Sequence, residues 1–383
     1  MKKTNLKGFT LNELEGFIAS IGEKKFRAAQ LFDWLYGKEA QSFDEMTTLS
    51  KPFRERLNDI AVIESSRLVT SQTSPDDGTV KFLFELPDGK QIESVLIPPR
   101  TAFLGADATG EEEQKRLTLC VSTQVGCALD CKFCATASMG FLRNLTAGEI
   151  IDQVIQAKKI SGRKITNIVY MGMGEPLMNY DHVMNSVEII TTGMGIAGRR
   201  ITVSTAGWVP KIRQMADEKR NVKLAISLHM LDERSRSELM PINAKYSLNE
   251  LMDSLRYYYS KMKQRITFEY ILFEDWNDTD EDARRLIRLS KSIPSKFNII
   301  PFHSIASTNP VGLATKLRPT GKKRVEEFVE ILRKSNLTVF VRSSAGEDID
   351  AACGQLAVRT KRGRRINAKS PIHPSQPVVR QIA

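Results

Sequence analysis

The sequence predicts an α/β fold: a partial (βα)6 barrel preceded by a small helical accessory domain. Three observations support this. Apolar runs suited to buried parallel strands recur beyond residue 116, helical patterns fill most of the intervals between them, and the first seventy or so residues carry helical periodicity without such runs. At 383 residues, with 41% hydrophobic and 26% charged residues, the chain can bury a full core and has the composition of a soluble globular protein.

Taken in order, Leu11, Leu14, Phe17, Ile18 and Ile21, then Phe26, Ala29, Leu31, Phe32, Leu35 and Tyr36, recur at helical spacing, predicting a helical domain over residues 1–75. Lys24, Lys25, Arg27 and Lys38 lie among Phe26, Trp34 and Tyr36. That mixture suits a module gripping structured RNA as well as it suits an ordinary amphipathic helix pair. Residues 76–100 read as a β-hairpin: 80–85 alternates like a strand, Asp88-Gly89 signals the turn, and 91–97 returns. Pro98 to Lys115, with its prolines, glycines and three consecutive glutamates, reads as a linker. Barrel strands are expected at 117–122, 165–171, 201–205, 223–228, 266–273, 297–302 and 338–342. The intervening helices are expected at 146–161, 179–192, 209–219, 247–262, 279–293 and 320–335, the first opened by a Thr146/Glu149 capping box. The barrel thus occupies 116–345, followed by a cysteine-bearing loop at 346–358 and a basic tail at 359–383.

The formal net charge is +11, and seven cations with no acidic residue lie between Arg359 and Ala383. Such a tail suits contact with a phosphate backbone, or is simply a solvated terminus. The N-terminal residues lack the apolar run of a signal peptide, and no stretch is long enough to span a bilayer. The expected location is the cytoplasm, where cysteines serve as ligands or redox catalysts more often than as structural disulfides.

Three of the five cysteines, Cys127, Cys131 and Cys134, are spaced C-x3-C-x2-C directly after the first barrel strand. Reactive groups of such barrels cluster at the C-terminal ends of strands. A structural zinc loop fits poorly, since closed zinc sites take four ligands and the nearest histidine is His182. A 4Fe-4S cluster normally takes four thiolates, so three leave one iron open to a small chelating ligand. The triplet resembles the signature of the radical S-adenosyl-L-methionine (SAM) enzymes, where SAM occupies that open iron. Met171 to Pro176, after the second strand, is a glycine-rich turn ending in a carboxylate and suits the methionine part of SAM. Ser204, Ser227, Leu228, His229 and His303 stand at further strand ends on the same rim. Cys120 and Cys353 remain. They are either small buried hydrophobes or, if the barrel edge closes, a pair that can meet.

With these residues in place the chain resembles one family over nearly its whole length, the radical SAM adenine-C2 methyltransferases of 23S ribosomal RNA and transfer RNA. The similarity is carried by Cys120 to Cys127, Gly140 to Leu145, Met171 to Pro176 and Asp348 to Leu356. The resemblance implies a route suited to adenine C2, an electron-poor carbon that an electrophilic methyl does not attack. Cys353 takes a methyl group from one SAM. A second SAM, cleaved at the Cys127/Cys131/Cys134 cluster, generates a radical on that methyl, which adds to C2. Glu93 accepts the C2 proton, and Cys120 releases methylated RNA by closing a transient disulfide with Cys353. It also places Gly174, Glu175, Ser204, Ser227, Leu228 and His229 against SAM. The implied partners are 23S rRNA, tRNA and a reducing electron donor such as flavodoxin, with the protein a monomer. His303 stands where many members have asparagine, and the linker is longer than usual. Rival readings are the sister adenine-C8 activity, an activating enzyme for a glycyl-radical partner, which needs no Cys353, and an RNA-binding protein with a structural metal loop. A methylthiotransferase would need a second cysteine cluster, whereas beyond the triplet only two isolated cysteines remain.

Overall fold

A computed structural model describes residues 3–99, 116–342 and 345–358. Most of the expected linker and the whole basic tail lie outside these residues. At the N-terminus, helices α1 (Leu11–Ser20), α2 (Phe26–Phe32) and α3 (Lys51–Ile60) pack with a short parallel pair, β1 (Thr4–Asn5) and β2 (Ala61–Val62). Thr10 and Glu13 form a capping box that starts α1; Leu14 and Ile18 are buried on α1, and Leu31 and Phe32 on α2.

One ten-stranded sheet then organises the chain. Its strands are β3 (Arg67–Thr73), β4 (Val80–Glu85), β5 (Gln91–Ile97), β6 (Thr118–Cys120), β9 (Asn167–Tyr170), β10 (Ile201–Thr205), β11 (Lys223–Ser227), β12 (Ile266–Leu272), β13 (Ser295–Pro301) and β14 (Val339–Val341). They lie in the order β14-β13-β12-β11-β10-β9-β6-β5-β4-β3. From β6 to β14 every pairing is parallel, with α4 (Ala147–Ser161), α5 (Tyr180–Thr192), α6 (Val209–Asp217), α8 (Leu248–Met262), α9 (Asp280–Ser292) and α10 (Lys322–Lys334) as the main crossover helices; a shorter helix, α7 (Glu233–Leu239), lies between β11 and α8. This is the expected partial barrel. The expected capping box at Thr146 and Glu149 is present. Among the described residues no helix is long and apolar enough to cross a membrane.

Three expectations change. Residues 67–73, read as part of the helical domain, form the edge strand β3; nearly all of its side chains are exposed, so it carries no apolar alternation. The 76–100 hairpin does not stand apart from the barrel, because β5 pairs antiparallel with β6, Val95 opposite Cys120, and extends the same sheet. A second hairpin was not expected at all: β7 (Gln124–Gly126) and β8 (Phe141–Asn144) pair antiparallel and carry the cysteine triplet in the loop between them. Three- and four-residue strands are too short to show a period.

The 345–358 segment leaves the β14 edge and crosses to the far side of the sheet order. There the Gly346 amide donates to Asp77 Oδ2 at 2.9 Å, Lys81 Nζ donates to the Asp350 carbonyl at 3.3 Å, and the Ala357 amide donates to Glu93 Oε2 at 3.0 Å. The loop thereby ties the last barrel strand to the hairpin and closes one end of the open barrel.

Candidate active site

The cysteine triplet is held by its surroundings more than by its own turn. Gly126 has φ +77°, a left-handed conformation, and an added Cβ would lie 1.8 Å from the Gly140 carbonyl oxygen, which accepts the Cys127 amide at 3.0 Å. We therefore expect Gly126→Ala to open the β7–β8 hairpin. It should cost at least about 2 kcal/mol in stability and lower the iron bound per chain after anaerobic reconstitution. Further along the loop, the Lys132 amide donates to the Leu239 carbonyl on α7 at 2.9 Å. The Ala135 amide donates to the Gly354 carbonyl at 2.6 Å, and Thr136 Oγ1 to the Leu356 carbonyl at 2.7 Å. Phe133 packs edge-on against His229, with ring centroids 4.7 Å apart.

Burial raises all three thiols; Cys127 is raised further by Cys134 and Glu175, and Cys131 by Cys127, Cys134 and Glu175, so the groups share one electrostatic environment. Among the described residues no three His, Cys, Asp or Glu side chains converge closely enough to hold a single metal ion. The chemistry of the donor set, three thiols on one loop, fits a cluster that takes each thiolate on a different iron. Because bound thiolates must first lose their protons, loading should release protons and be pH-dependent. Cluster incorporation, followed by visible absorbance and iron content, is expected to be several-fold faster at about pH 8.5 than at about pH 6.5; equal rates would mean that deprotonation of these thiols is not limiting.

The glycine-rich turn lies beside this loop. Gly174, at φ +100°, passes so close to Gln124 that an added Cβ would lie 2.6 Å from that side chain's Cβ. Glu175 is buried; one carboxylate oxygen accepts the Leu177 amide at 3.0 Å and the other the Ala206 amide at 2.8 Å. Burial nevertheless holds its carboxyl above the usual range, those hydrogen bonds opposing it only in part. Ser204 ends near the rim of β10, and Ser227, Leu228 and His229 close β11. His229 is buried, which lowers its imidazole to about 3, and its Nδ1 accepts the Ile271 amide at 3.1 Å. The ring is therefore neutral with its proton on Nε2. His303 sits at the end of β13, but its Nδ1 lies 3.1 Å from Glu347 Oε1, on the turn that precedes Cys353. It meets the cysteine loop.

Cys120 and Cys353, far apart in sequence, are electrostatic neighbours in the fold. Burial pushes the Cys120 thiol up to about 12, and Cys353 adds to the rise. Cys353 is exposed as a residue while its sulfur lies among Arg342, Glu269 and Cys134; confinement raises this thiol too, and a hydrogen bond and the charge of the Arg342 guanidinium oppose the rise. Glu93 is buried on β5, two residues from the partner of Cys120, with one carboxylate oxygen on the Ala357 amide of the Cys353 loop. The two thiols, the Arg342 guanidinium and the Glu269 carboxylate thus share one electrostatic environment, and Glu93 is tied to the Cys353 loop through the Ala357 amide.

Residues 4–63 match the family model described as the ribosomal RNA large subunit methyltransferase N-terminal domain, and residues 121–287 match the radical SAM superfamily. A probable dual-specificity RNA methyltransferase RlmN from Christiangramia forsetii is 42% identical, the match covering 93% of this chain and 97% of that protein. The dual-specificity RNA methyltransferase RlmN of Syntrophobacter fumaroxidans is 44% identical over 93% of this chain and 98% of its own. The chain belongs to the RlmN family. A crystal structure of a radical SAM methyltransferase from Sphaerobacter thermophilus superimposes with a TM-score of 0.80 at 40% identity, covering 92% of this chain and 99% of that one. The protein is a SAM-dependent RNA methyltransferase of the radical SAM type, and membership implies an iron–sulfur cluster, SAM and an RNA substrate.

Within this RlmN-family site, sequence reasoning passed over several charged groups. Arg342 follows β14 directly, and its guanidinium lies 3.3 Å from Glu269 and 3.6 Å from the Met171 sulfur. The rule that reactive groups gather at strand C-termini could have found it. Glu269, in the apolar run of β12, accepts from Asn298 Nδ2 at 2.8 Å while its other carboxylate oxygen has no hydrogen-bond partner. A lone carboxylate inside a buried strand was a visible signal. Arg236 on α7 was not visible. It is buried and donates to the carbonyls of Ala206, Ser227 and Leu228 and to Asn243, so it binds the strand ends of the rim together close to Cys131.

Proposed function

We propose that this enzyme methylates C2 of a specific adenosine in the peptidyl-transferase centre of 23S rRNA and of the adenosine 3′ to the anticodon in a subset of tRNAs. The observations that support the reading are that Cys353 is an electrostatic neighbour of Cys120 and that the loop carrying Cys353 donates its Ala357 amide to Glu93. The cluster assigned to Cys127, Cys131 and Cys134 is 4Fe-4S, with Gly174, Glu175, Ser204, Ser227, Leu228 and His229 lining the SAM site and two SAM consumed per turnover. When bound, the cluster and SAM supply the methyl group, the radical that activates it and the one-electron exchange that opens and closes the cycle.

The chain's own residues do the rest. Cys353 is the methyl carrier, and Arg342 holds positive charge beside its sulfur, which favours the nucleophilic thiolate. Once its carbon is bonded to C2, RNA and protein are joined through an S–CH2–C2 bridge. Glu93 takes the C2 proton as that C–H bond breaks, the electron pair staying in the ring to restore aromaticity. Cys120 then attacks the Cys353 sulfur, giving up its thiol proton as the S–S bond forms; the S–CH2 bond breaks, its electron pair remains on the carbon, and one proton, balancing the one Cys120 released, completes the methyl group. The burial that raises Cys120 keeps it protonated, and so idle, until that step. A thiol reductant returns the disulfide to two thiols, and a flavodoxin-type donor supplies electrons.

The test is mass spectrometry of nucleosides from unmodified ribosomal and transfer RNA after anaerobic incubation with the reconstituted protein, SAM and reductant. 2-Methyladenosine in both RNAs is expected. 8-Methyladenosine would overturn the position, and SAM cleavage without any methylated adenine would overturn the RNA reading.

A further inference from the structure

Two anchors bracket Cys353 in the loop, at Asp350 and at Ala357, and both run to one pair of side chains. Lys81 and Glu93 are diagonal neighbours on adjacent strands, since Lys81 lies opposite Val95 and Leu83 opposite Glu93. Lys81 Nζ lies 3.7 Å from Glu93 Oε1, and both side chains are about nine-tenths buried, at 12% and 8% exposure. The same ammonium donates to the Asp350 carbonyl at 3.3 Å, three residues before Cys353. The other oxygen of Glu93 accepts the Ala357 amide at 3.0 Å, four residues after it.

We propose that Lys81 is a positioning residue that registers the proton acceptor Glu93 against the loop carrying the methyl-bearing cysteine. A carboxylate this buried keeps its charge only with compensating cations or hydrogen bonds, and among the described residues Lys81 pairs with it. Its second contact fixes the distance between the base and the carbon that the base must serve. Lys81 touches neither the triplet loop nor the rim residues in any contact described above. Its loss therefore falls on proton removal, in which the C2–H bond breaks and the proton passes to Glu93, and spares the earlier joining of RNA to Cys353. The assignment rests on the methylene-bridged route proposed above.

The experiment uses the reconstituted full chain with SAM, reductant and a labelled unmodified tRNA, and follows the covalent RNA–protein adduct on denaturing gels as it forms and decays. In Lys81→Met the adduct should form at close to the wild-type rate and decay about tenfold more slowly, a part of what a general base contributes. Lys81→Arg, which keeps the charge, should recover decay to within about threefold of wild type. Glu93→Gln should hold the adduct longer than either. Wild-type decay in a folded Lys81→Met overturns the assignment, and so does loss of adduct formation in Lys81→Met, which would mark a merely structural role. Absence of adduct in every variant, Glu93→Gln included, overturns the bridged route itself and with it the role given to Lys81.

Discussion

Replacing Cys353 by alanine is expected to reduce RNA methylation to background, a loss on the order of 10⁴-fold or more, as befits removal of a covalent carrier. The same protein should fold, bind its cluster and cleave SAM without transferring the methyl group. Cys353 is not among the triplet, and the loop that carries it is anchored through backbone atoms of Gly346, Asp350, Gly354, Leu356 and Ala357, all of which the substitution leaves in place. Counting 5′-deoxyadenosine and methylated nucleoside in one reaction separates the two steps. If Cys353→Ala methylated RNA at the wild-type rate, Cys353 would not be the carrier, and an enzyme that acts without it would have to be considered.

The second large effect lies away from the chemistry. Lys7 Nζ and Asp152 Oδ1 form an ion pair at 2.6 Å with both side chains 2% exposed, joining the N-terminal module to α4. Lys7 also donates to Ser65 Oγ at 2.5 Å, and Asp152 Oδ2 accepts the Ser66 amide and hydroxyl, each at 2.6 Å. Removing one partner leaves a buried charge uncompensated, so Lys7→Met should cost about 3–5 kcal/mol. Lys7→Met with Asp152→Leu should recover much of that, because removing both charges also removes the need to desolvate them. Urea unfolding of the two variants beside wild type checks both statements. A loss below about 1 kcal/mol in the single variant would mean that the pair is solvated in solution, like an ordinary surface pair.

How far the sequence went depended on whether a signal was local. The barrel strands were legible because each is a short apolar run, buried on both faces in the middle of the sheet, and the helices because their apolar positions recur every three or four residues; expected and observed bounds differ by a few residues at most. The triplet was legible because its ligands share one loop. β3 was missed because an exposed edge strand needs no apolar alternation, and the β7–β8 hairpin because its strands are too short to show a period.

The sequence by itself determined the order of the barrel strands and their crossover helices, the triplet, and through Cys120 and Cys353 the family to which the chain is similar. Only the tertiary structure decided that those two thiols are electrostatic neighbours, that Glu93 on a hairpin outside the parallel run bonds to the Cys353 loop, that His303 turns toward Glu347, and that Lys7 finds Asp152. The physical reason is the same in each case. Periodicity and spacing record which face of an element is buried and which residues share a loop, whereas a charge or thiol acquires its partner from strand order and loop closure, across separations such as the 264 residues between Glu93 and Ala357.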